Sequence, residues 1–364
     1  MIMSLTIPIG RRKGAITPPF SKSHLHRLLI ADFLGGNFQR LAPDPTDPDD
    51  IAATKRCLLA LKEVNDRPTL DCGESGSTLR FLKPISAALG KTPTYVTKGR
   101  LSKRPGLDYE TIAPGLFTLP GNVSSQFSTG LLFALPLLNK DSEIRFTTPL
   151  ESRGYVDLTL HVLKDSNIKI EETETGFLVP GNQTYTAPVN IEPERDWSGA
   201  SFFLVMNYLG SEIEIKGLNN ASLQPDRKLL DLLKEKGGVK DVSQCPDIFP
   251  PLAVAAAGTN AQTTFTGIKR LRLKESDRVA TTQALLKAIG INSKATEDSF
   301  TVVGTDKLFQ VKEEIKTFGD HRIAMSAAAA ATNAQSPVTI DDPYCSAKSY
   351  PSFFEDFLAL PLLY

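Results

Sequence analysis

Ser21-Lys22-Ser23-His24-Leu25-His26-Arg27-Leu28-Leu29-Ile30-Ala31-Asp32-Phe33-Leu34-Gly35-Gly36 is the stretch from which the fold is read outward. Leu25, Leu28, Leu29 and Phe33 recur at helical spacing, a serine can cap the start, and the glycine pair ends the helix. Lys22 and Ser23 then stand in the first turn, with Arg27 one turn further on. Hydroxyls, cations and unpaired backbone N–H groups thus crowd one helix entrance, where proteins hold anionic oxygen. The combination returns at Ser124-Ser125-Gln126, at Lys274-Glu275-Ser276-Asp277-Arg278 and at Asp320-His321-Arg322, and Lys348 closes the series. One such group is a surface accident. Several, spread along the chain, imply a site built for several negative charges and an enzyme that handles two phosphorylated substrates.

Further helices follow from the same reasoning. The turn-rich Gly73-Glu74-Ser75-Gly76-Ser77-Thr78 feeds a helix with Leu79, Leu82, Ile85 and Leu89 on one face, and Pro84 is expected to kink it. Ser124-Ser125-Gln126 opens a helix interrupted at Pro136. Strands are expected at Ile144 to Phe146, Ile168 to Ile170, Phe177 to Val179 and Val189 to Ile191. From Asp196 the pattern restarts: a helix over Phe202 to Leu209, a strand over Glu212 to Ile215, and a helix around Asp226 to Lys236. Asp247 leads past Pro250 and Pro251 into the alanine-rich Leu252 to Ala257. Helices are expected over Glu275 to Ile289 and Ile323 to Ala331. Helices alternating with strands in both halves indicate an α/β or α+β architecture.

At 364 residues the chain is long enough for two domains. Lys and Arg together number 41, as do Asp and Glu, so no overall field draws the chain to nucleic acid or to an anionic membrane. No run approaches the roughly 20 apolar residues of a membrane span. Cys57, Cys72, Cys245 and Cys345 are far apart, as are His161 and His321 from the pair His24 and His26, so neither a metal nor a disulfide framework is expected. A reduced cytoplasm is the matching compartment. The proline-bearing segment 182–195 marks the crossing between domains.

Seven motifs, in this order, resemble the 5-enolpyruvylshikimate-3-phosphate synthase family. They are Ser21-Lys22-Ser23 with Arg27; Gly73 with Gly76-Ser77-Thr78-Leu79-Arg80; Lys103-Arg104-Pro105; Gly121-Asn122-Val123-Ser124-Ser125-Gln126-Phe127; Leu273-Lys274-Glu275-Ser276-Asp277-Arg278; Asp320-His321-Arg322-Ile323-Ala324-Met325; and Asp342-Pro343-Tyr344-Cys345-Ser346-Ala347-Lys348. Taken singly, each reads as a solvated helix face, a serine cap or a turn. The order of all seven carries the resemblance.

The resemblance implies a two-domain enolpyruvyl transferase fold, an inside-out α/β barrel built from repeated βαβαββ units. Residues 20–195 would form a first domain on the shikimate 3-phosphate side. Residues 1–19 with 196–364 would form a second, on the phosphoenolpyruvate side, with the active site in the cleft between them. Because segments 49–73 and 104–121 are short for the family, the first domain is expected to be trimmed. The segment from Asp49 to Gly73 has room for one helix and one strand, and the one from Arg104 to Gly121 lacks the usual helix and strands. A second departure is Glu74-Ser75, where the family commonly has asparagine and a small residue. A carboxylate there would repel phosphoenolpyruvate unless it turned away or paired with a cation.

The activity implied is that of a 3-phosphoshikimate 1-carboxyvinyltransferase, with no cofactor and no metal, acting as a monomer on small-molecule substrates with no nucleic-acid or membrane partner. Shikimate 3-phosphate would meet Lys22, Ser23, Arg27, Ser124, Ser125, Gln126, Ser152, Tyr155, Asp247 and Lys274. Phosphoenolpyruvate would meet Lys22, Gly76, Arg104, Gln126, Arg278, Arg322 and Lys348. Asp247 would act as base, Glu275 as acid at the methylene carbon, and Lys22 toward the leaving phosphate. The related UDP-N-acetylglucosamine enolpyruvyl transferases share the fold but have a reactive cysteine where the Lys103-Arg104-Pro105 loop has none. An RNA 3′-phosphate cyclase and a non-catalytic phosphometabolite-binding protein are the other readings weighed. The neutral charge disfavours the first, and the retained Lys22, Asp247 and Glu275 disfavour the second.

Overall fold

In a computed structural model, which describes residues 4–107, 109 and 111–363, the chain divides into two compact units. The continuous unit is Lys22–Pro193; the discontinuous unit is Met1–Ser21 with Glu194–Tyr364. The discontinuous unit begins with strands β1 (Leu5–Ile7) and β2 (Lys13–Ile16). At its junctions Phe20 bridges antiparallel to Arg195, the Ser21 N–H donates to the Glu194 carbonyl at 2.7 Å, and the Asp196 N–H donates to the Pro19 carbonyl at 3.0 Å. The Arg195 guanidinium lies 4.2 Å over the Phe20 ring, so the two connecting segments are stapled together.

The continuous unit runs α1 (Lys22–Leu34), α2 (Asp49–Lys62), β3 (Thr69–Gly73), α3 (Gly76–Ala88), β4 (Thr94–Thr97), β5 (Leu116–Leu119), α4 (Ser125–Ala134), β6 (Ser142–Phe146), α5 (Arg153–Asp165), β7 (Glu171–Thr173) and β8 (Gly176–Val179). One sheet has the order β5-β6-β8-β7, parallel between β5 and β6 and antiparallel elsewhere. The other holds only the parallel pair β3-β4. Leu28, Leu29, Phe81, Leu82, Leu131, Phe133, Ile144, Val162 and Phe177 fill its core.

In the discontinuous unit follow α6 (Trp197–Tyr208), β9 (Glu212–Ile215), α7 (Leu229–Leu232), β10 (Gly238–Asp241), α8 (Phe249–Ala257), β11 (Gln262–Thr266), α9 (Arg278–Ala288), β12 (Asn292–Ala295), β13 (Ser299–Val303), α10 (His321–Ala331), β14 (Val338–Ile340) and α11 (Phe353–Ala359). Its four-stranded sheet, β10-β11-β13-β12, repeats the order and strand directions of the four-stranded sheet above. Each unit therefore carries one complete βαβαββ set. Beside it the described residues of the continuous unit add only the two-stranded β3-β4, a short version of such a set. Helix α10 is buried on every side, and its alanines let it pack closely against α6 and α8.

The differences from the sequence expectations have local causes. Ile168 opens no strand; it closes α5, its N–H donating to the Leu163 carbonyl at 2.9 Å while Asn167 turns left-handed at φ 62°. This is a Schellman stop whose apolar residue packs inward, and the strand starts only at Glu171. Val189 to Ile191 is a turn, with the Ile191 N–H on the Pro188 carbonyl. The helix around Asp226 shrinks to a 3-10 turn, Pro225–Lys228, and α7, because Gly237 and Gly238 both adopt positive φ soon after. Leu116–Leu119 forms a strand within the segment where none was expected. Helix α3 continues through Pro84. Among the described residues no helix is long and apolar enough to cross a membrane.

Candidate active site

The continuous unit gathers its polar side chains at helix starts. Lys22 is the first residue of α1, and its Nζ donates to Asp50 Oδ2 at 2.6 Å from the first turn of α2. Arg27, one turn later, is buried, and its guanidinium donates from Nη1 to the Ser23 carbonyl (2.5 Å), from Nη2 to the Tyr155 carbonyl (2.8 Å) and from Nε to Thr159 Oγ1 (2.8 Å). Burial pulls the Arg27 pKa down to about 9, which still leaves it charged at neutral pH.

Ser124 caps α4, its hydroxyl accepting from the Gln126 N–H at 3.3 Å, and Ser125 begins the helix. Ser152 stands before α5 in a left-handed conformation, φ 55°, with Tyr155 in the first turn. The Glu151 N–H donates to the Gly121 carbonyl at 3.0 Å, which ties the two approaches together. Two helix N-termini with adjoining hydroxyls suit a phosphate.

Gly76 opens α3 where two guanidinium groups close in. A Cβ on Gly76 would lie 2.5 Å from Arg80 Nη1 and 3.2 Å from Arg104 Nη1. Arg80 donates to Gln126 Oε1 at 2.7 Å and twice to the Pro105 carbonyl, and Gln126 Nε2 donates to Ser77 Oγ at 2.9 Å. Arg80 thus fixes both the Gln126 amide and the loop that bears Arg104.

In the discontinuous unit one guanidinium gathers three carboxylates. Arg278, 1% exposed at the start of α9, pairs with Asp320 Oδ2 (3.1 Å), Asp247 Oδ1 (2.9 Å) and Glu275 Oε2 (2.6 Å). Asp320 also accepts from Ser276 Oγ at 2.8 Å and caps α10 through the Arg322 N–H at 3.0 Å. Asp247, in the 3-10 turn Pro246–Ile248, further takes Arg322 Nη2 at 3.0 Å, with Lys274 Nζ at 3.6 Å. Arg322 reaches Ser198 Oγ and the Asp247 carbonyl as well. Lys348 ends the 3-10 turn Tyr344–Lys348, which packs on α10, and is buried.

Three cations face three carboxylates here, so the cluster balances itself. Burial pushes the Asp247 carboxyl up, but Arg322, Lys274 and Arg278 outweigh it and hold it well below the usual carboxylate range. Burial pulls Lys274 down to about 8 against the raising effect of Asp247, though its side chain keeps 24% of its surface. Arg278 loses to burial and gains more from Asp320, Glu275 and Asp247, so it stays fully charged.

Of the sequence-predicted residues, Lys22, Ser23, Arg27, Gly76, Arg104, Ser124, Ser125, Gln126, Ser152 and Tyr155 lie in the continuous unit and Asp247, Lys274, Glu275, Arg278, Arg322 and Lys348 in the other. Contacts join Arg27 to Ser23 and Tyr155, Gly76 to Arg104, and Asp247 to Lys274, Arg278 and Arg322, with Glu275 on Arg278. The sequence reading assigned no role to Asp50, Arg80 or Asp320. Arg80 and Asp320 sit inside the quoted motifs, whereas only a tertiary contact marks Asp50 as the partner of Lys22. Among the described residues no three His, Cys, Asp or Glu side chains come together as a metal site.

Comparison with known proteins identifies the family. The family model described as EPSP synthase (3-phosphoshikimate 1-carboxyvinyltransferase) matches residues 105–240 and 233–357. A protein of Clostridium botulinum (strain Alaska E43 / Type E3) named 3-phosphoshikimate 1-carboxyvinyltransferase is 36% identical over 419 positions, covering 96% of each chain. One of the same name from Clostridioides difficile (strain 630) is 35% identical over 427 positions, covering 98% of this chain and 97% of that protein. Alignments longer than the 364 residues here require gaps in this chain, as a shortened member would show. Among solved structures, an EPSP synthase of Acinetobacter baumannii aligns with a TM-score of 0.76 at 22% identity over 99% of this chain and 98% of that one. The enolpyruvyl transferase NikO of Streptomyces tendae aligns at 0.66 and 14% over 98% and 97%; these two bear on the fold alone. The chain belongs to the EPSP synthase (3-phosphoshikimate 1-carboxyvinyltransferase) family.

Proposed function

We propose a residue-by-residue assignment for the reaction that this family membership gives the chain. It transfers the enolpyruvyl group of phosphoenolpyruvate to the 5-hydroxyl of shikimate 3-phosphate, in aromatic biosynthesis. The hydroxyl oxygen bonds to C2 of the enol phosphate, C3 takes a proton and the hydroxyl loses one. C3 then gives a proton back as the C2–O bond to phosphate breaks. The enol phosphate is itself activated, so charged groups and exclusion of water suffice without a cofactor.

Ser124, Ser125 and Ser152 take the phosphate of shikimate 3-phosphate, Ser23 and Arg27 its carboxylate, and Gln126, Tyr155 and Lys274 complete the subsite. Lys22, Gly76, Arg104, Gln126, Arg278, Arg322 and Lys348 take phosphoenolpyruvate; arginine forks fit its carboxylate and phosphate in two places each. The observation that carries the assignment is the attachment of both Asp247 and Glu275 to Arg278. It puts the two groups proposed to move protons on one fixed cation. With its pKa held low, Asp247 is a weak base in the free protein. Substrate oxyanions that engage Arg278 and Arg322 would compete for the same cations and raise its basicity. Glu275 serves as the acid at C3, and Lys22 assists the leaving phosphate.

Phosphate release measured with each substrate alone and with both tests the reading. Release that needs both and disappears in Lys22→Ala and Glu275→Ala supports it; release unaffected by these changes sinks the assignment. The same subsite is assigned to glyphosate in competition with phosphoenolpyruvate, and indifference to millimolar inhibitor would remove that part. The enzyme is taken as a cytoplasmic monomer with no membrane or nucleic-acid partner, which analytical ultracentrifugation and cell fractionation check.

A further inference from the structure

Arg104 is held by a turn whose base is glycine for a reason the reaction alone does not explain. The Lys98 N–H donates to the Gly73 carbonyl at 2.7 Å, and the chain then winds through Gly99 at φ +57° into the 3-10 turn Leu101–Lys103. The Arg104 N–H closes on the Leu101 carbonyl at 3.2 Å. Glu74, between β3 and α3, lays its carboxylate on the Cα of Gly99: a Cβ there would overlap Oε1 and stand 2.6 Å from Cδ. On the other side of Ser75, Gly76 faces the Arg104 guanidinium.

We propose that Glu74 is a positioning residue for the phosphoenolpyruvate subsite: closed against Gly99, it anchors the 98–104 turn and so holds the Arg104 guanidinium beside Gly76. This rests on the assignment of Arg104 and Gly76 to phosphoenolpyruvate. The turn crowds Lys98, Arg100, Lys103 and Arg104 into seven residues, and a carboxylate at its base offsets their mutual repulsion. That use of the charge answers the objection that a carboxylate beside an anion site must repel the substrate. It also makes Gly99 obligatory twice over, by its positive φ and by the side chain lying on it.

Steady-state kinetics with each substrate varied, on Glu74→Gln, Glu74→Ala, Gly99→Ala and the Glu74→Ala/Gly99→Ala pair, tests the proposal. Both Glu74 variants are expected to raise KM for phosphoenolpyruvate by up to about fivefold, the loss of one exposed charged contact. KM for shikimate 3-phosphate should stay within about twofold, since that subsite is untouched. Gly99→Ala should raise KM for phosphoenolpyruvate alone and add distinctly less when Glu74 is already alanine, because the overlap is gone and only the strain of the positive φ remains. If Glu74→Ala does not fold, Glu74→Gln, which keeps the shape without the charge, decides. An unchanged or lowered KM for phosphoenolpyruvate in Glu74→Gln overturns the proposal, as does strict additivity in the double variant. Arg104→Lys separates the two readings: a raised KM there beside unaffected Glu74 variants leaves the subsite standing and removes Glu74 from it. An unchanged KM in Arg104→Lys overturns both.

Discussion

Asp320 lies across the guanidinium of Arg278, Oδ2 3.1 Å from Nε and Oδ1 3.4 Å from Nη2, with the carboxylate fully enclosed and the arginine 1% exposed. Arg278 gives Nη1 to Asp247 and shares Nη2 between Asp320 and Glu275, so Asp320 helps aim the cation at the two carboxylates proposed for proton transfer. The same carboxylate caps α10, the helix that carries Arg322. One enclosed charge therefore sets two of the arginines assigned to substrate.

Asp320→Asn separates its charge from its capping role, because asparagine also caps helices. Breaking a buried pair by neutralising one partner costs about 3–5 kcal/mol. The variant is expected to unfold at clearly lower urea and to lose most of its kcat; an unchanged unfolding midpoint would show that the pair does not hold this cluster.

Lys274 makes the pH profile asymmetric. Its folded pKa, about 8, lies below that of a free lysine, so between pH 8 and 10.5 the unfolded chain binds more protons and this group makes stability rise with pH. Activity moves the opposite way, since losing the ammonium weakens the grip on an anionic substrate. KM for shikimate 3-phosphate should climb above pH 8, and Lys274→Arg should flatten that climb. Parallel profiles in the two proteins would assign the climb to another group. Asp247 acts at the other end: its depressed pKa contributes stability above the ordinary carboxylate range that is lost as pH falls through the folded value.

Arg40, 21% exposed, pairs at 2.5 Å with the fully buried Asp32 and also donates to the Ile191 carbonyl at 2.8 Å. Burial raises Asp32 to about 6 even with Arg40 opposing it. A raised acid pKa means the folded state holds the extra proton between pH 4 and 6, so this group's contribution falls as pH rises through that window. Arg40→Ala should steepen the fall and cost about 3 kcal/mol at neutral pH, with less loss at pH 4.5. Thermal unfolding at the two pH values reads the difference; equal losses would mean Asp32 is not the responsible charge.

What could be read in advance was local. Ser124 and Asp320 announce helix starts because a cap needs only its own next three residues, whereas the helix expected from Glu275 starts only at Arg278, behind the Asp277 cap. Ile168 and Val189 misled because an apolar run looks the same in a strand, in a Schellman stop and beside a proline turn. The proposed site residues are named by the ordered motifs, while their partners are not: Asp50 meets Lys22 across 28 residues and Arg80 meets Gln126 across 46. The role of Glu74 needed the backbone of Gly99, which no spacing in the sequence connects to it. The βαβαββ repeat was implied by the family resemblance, and the matched strand orders place one complete set in each unit.

Ser152 holds a left-handed conformation, φ 55° and ψ 41°, at the start of α5 without using its hydroxyl to cap the helix. A side chain in that region costs roughly 1–2 kcal/mol that glycine avoids. The proposed assignment gives this serine a use as a hydroxyl on the phosphate of shikimate 3-phosphate. Ser152→Gly should then stabilise the protein by about 0.5–1 kcal/mol, since glycine's greater freedom in the unfolded chain takes back part of the gain. It should also weaken shikimate 3-phosphate binding several-fold in calorimetry. A variant that is both more stable and binds equally well would remove Ser152 from the subsite and leave its backbone unexplained.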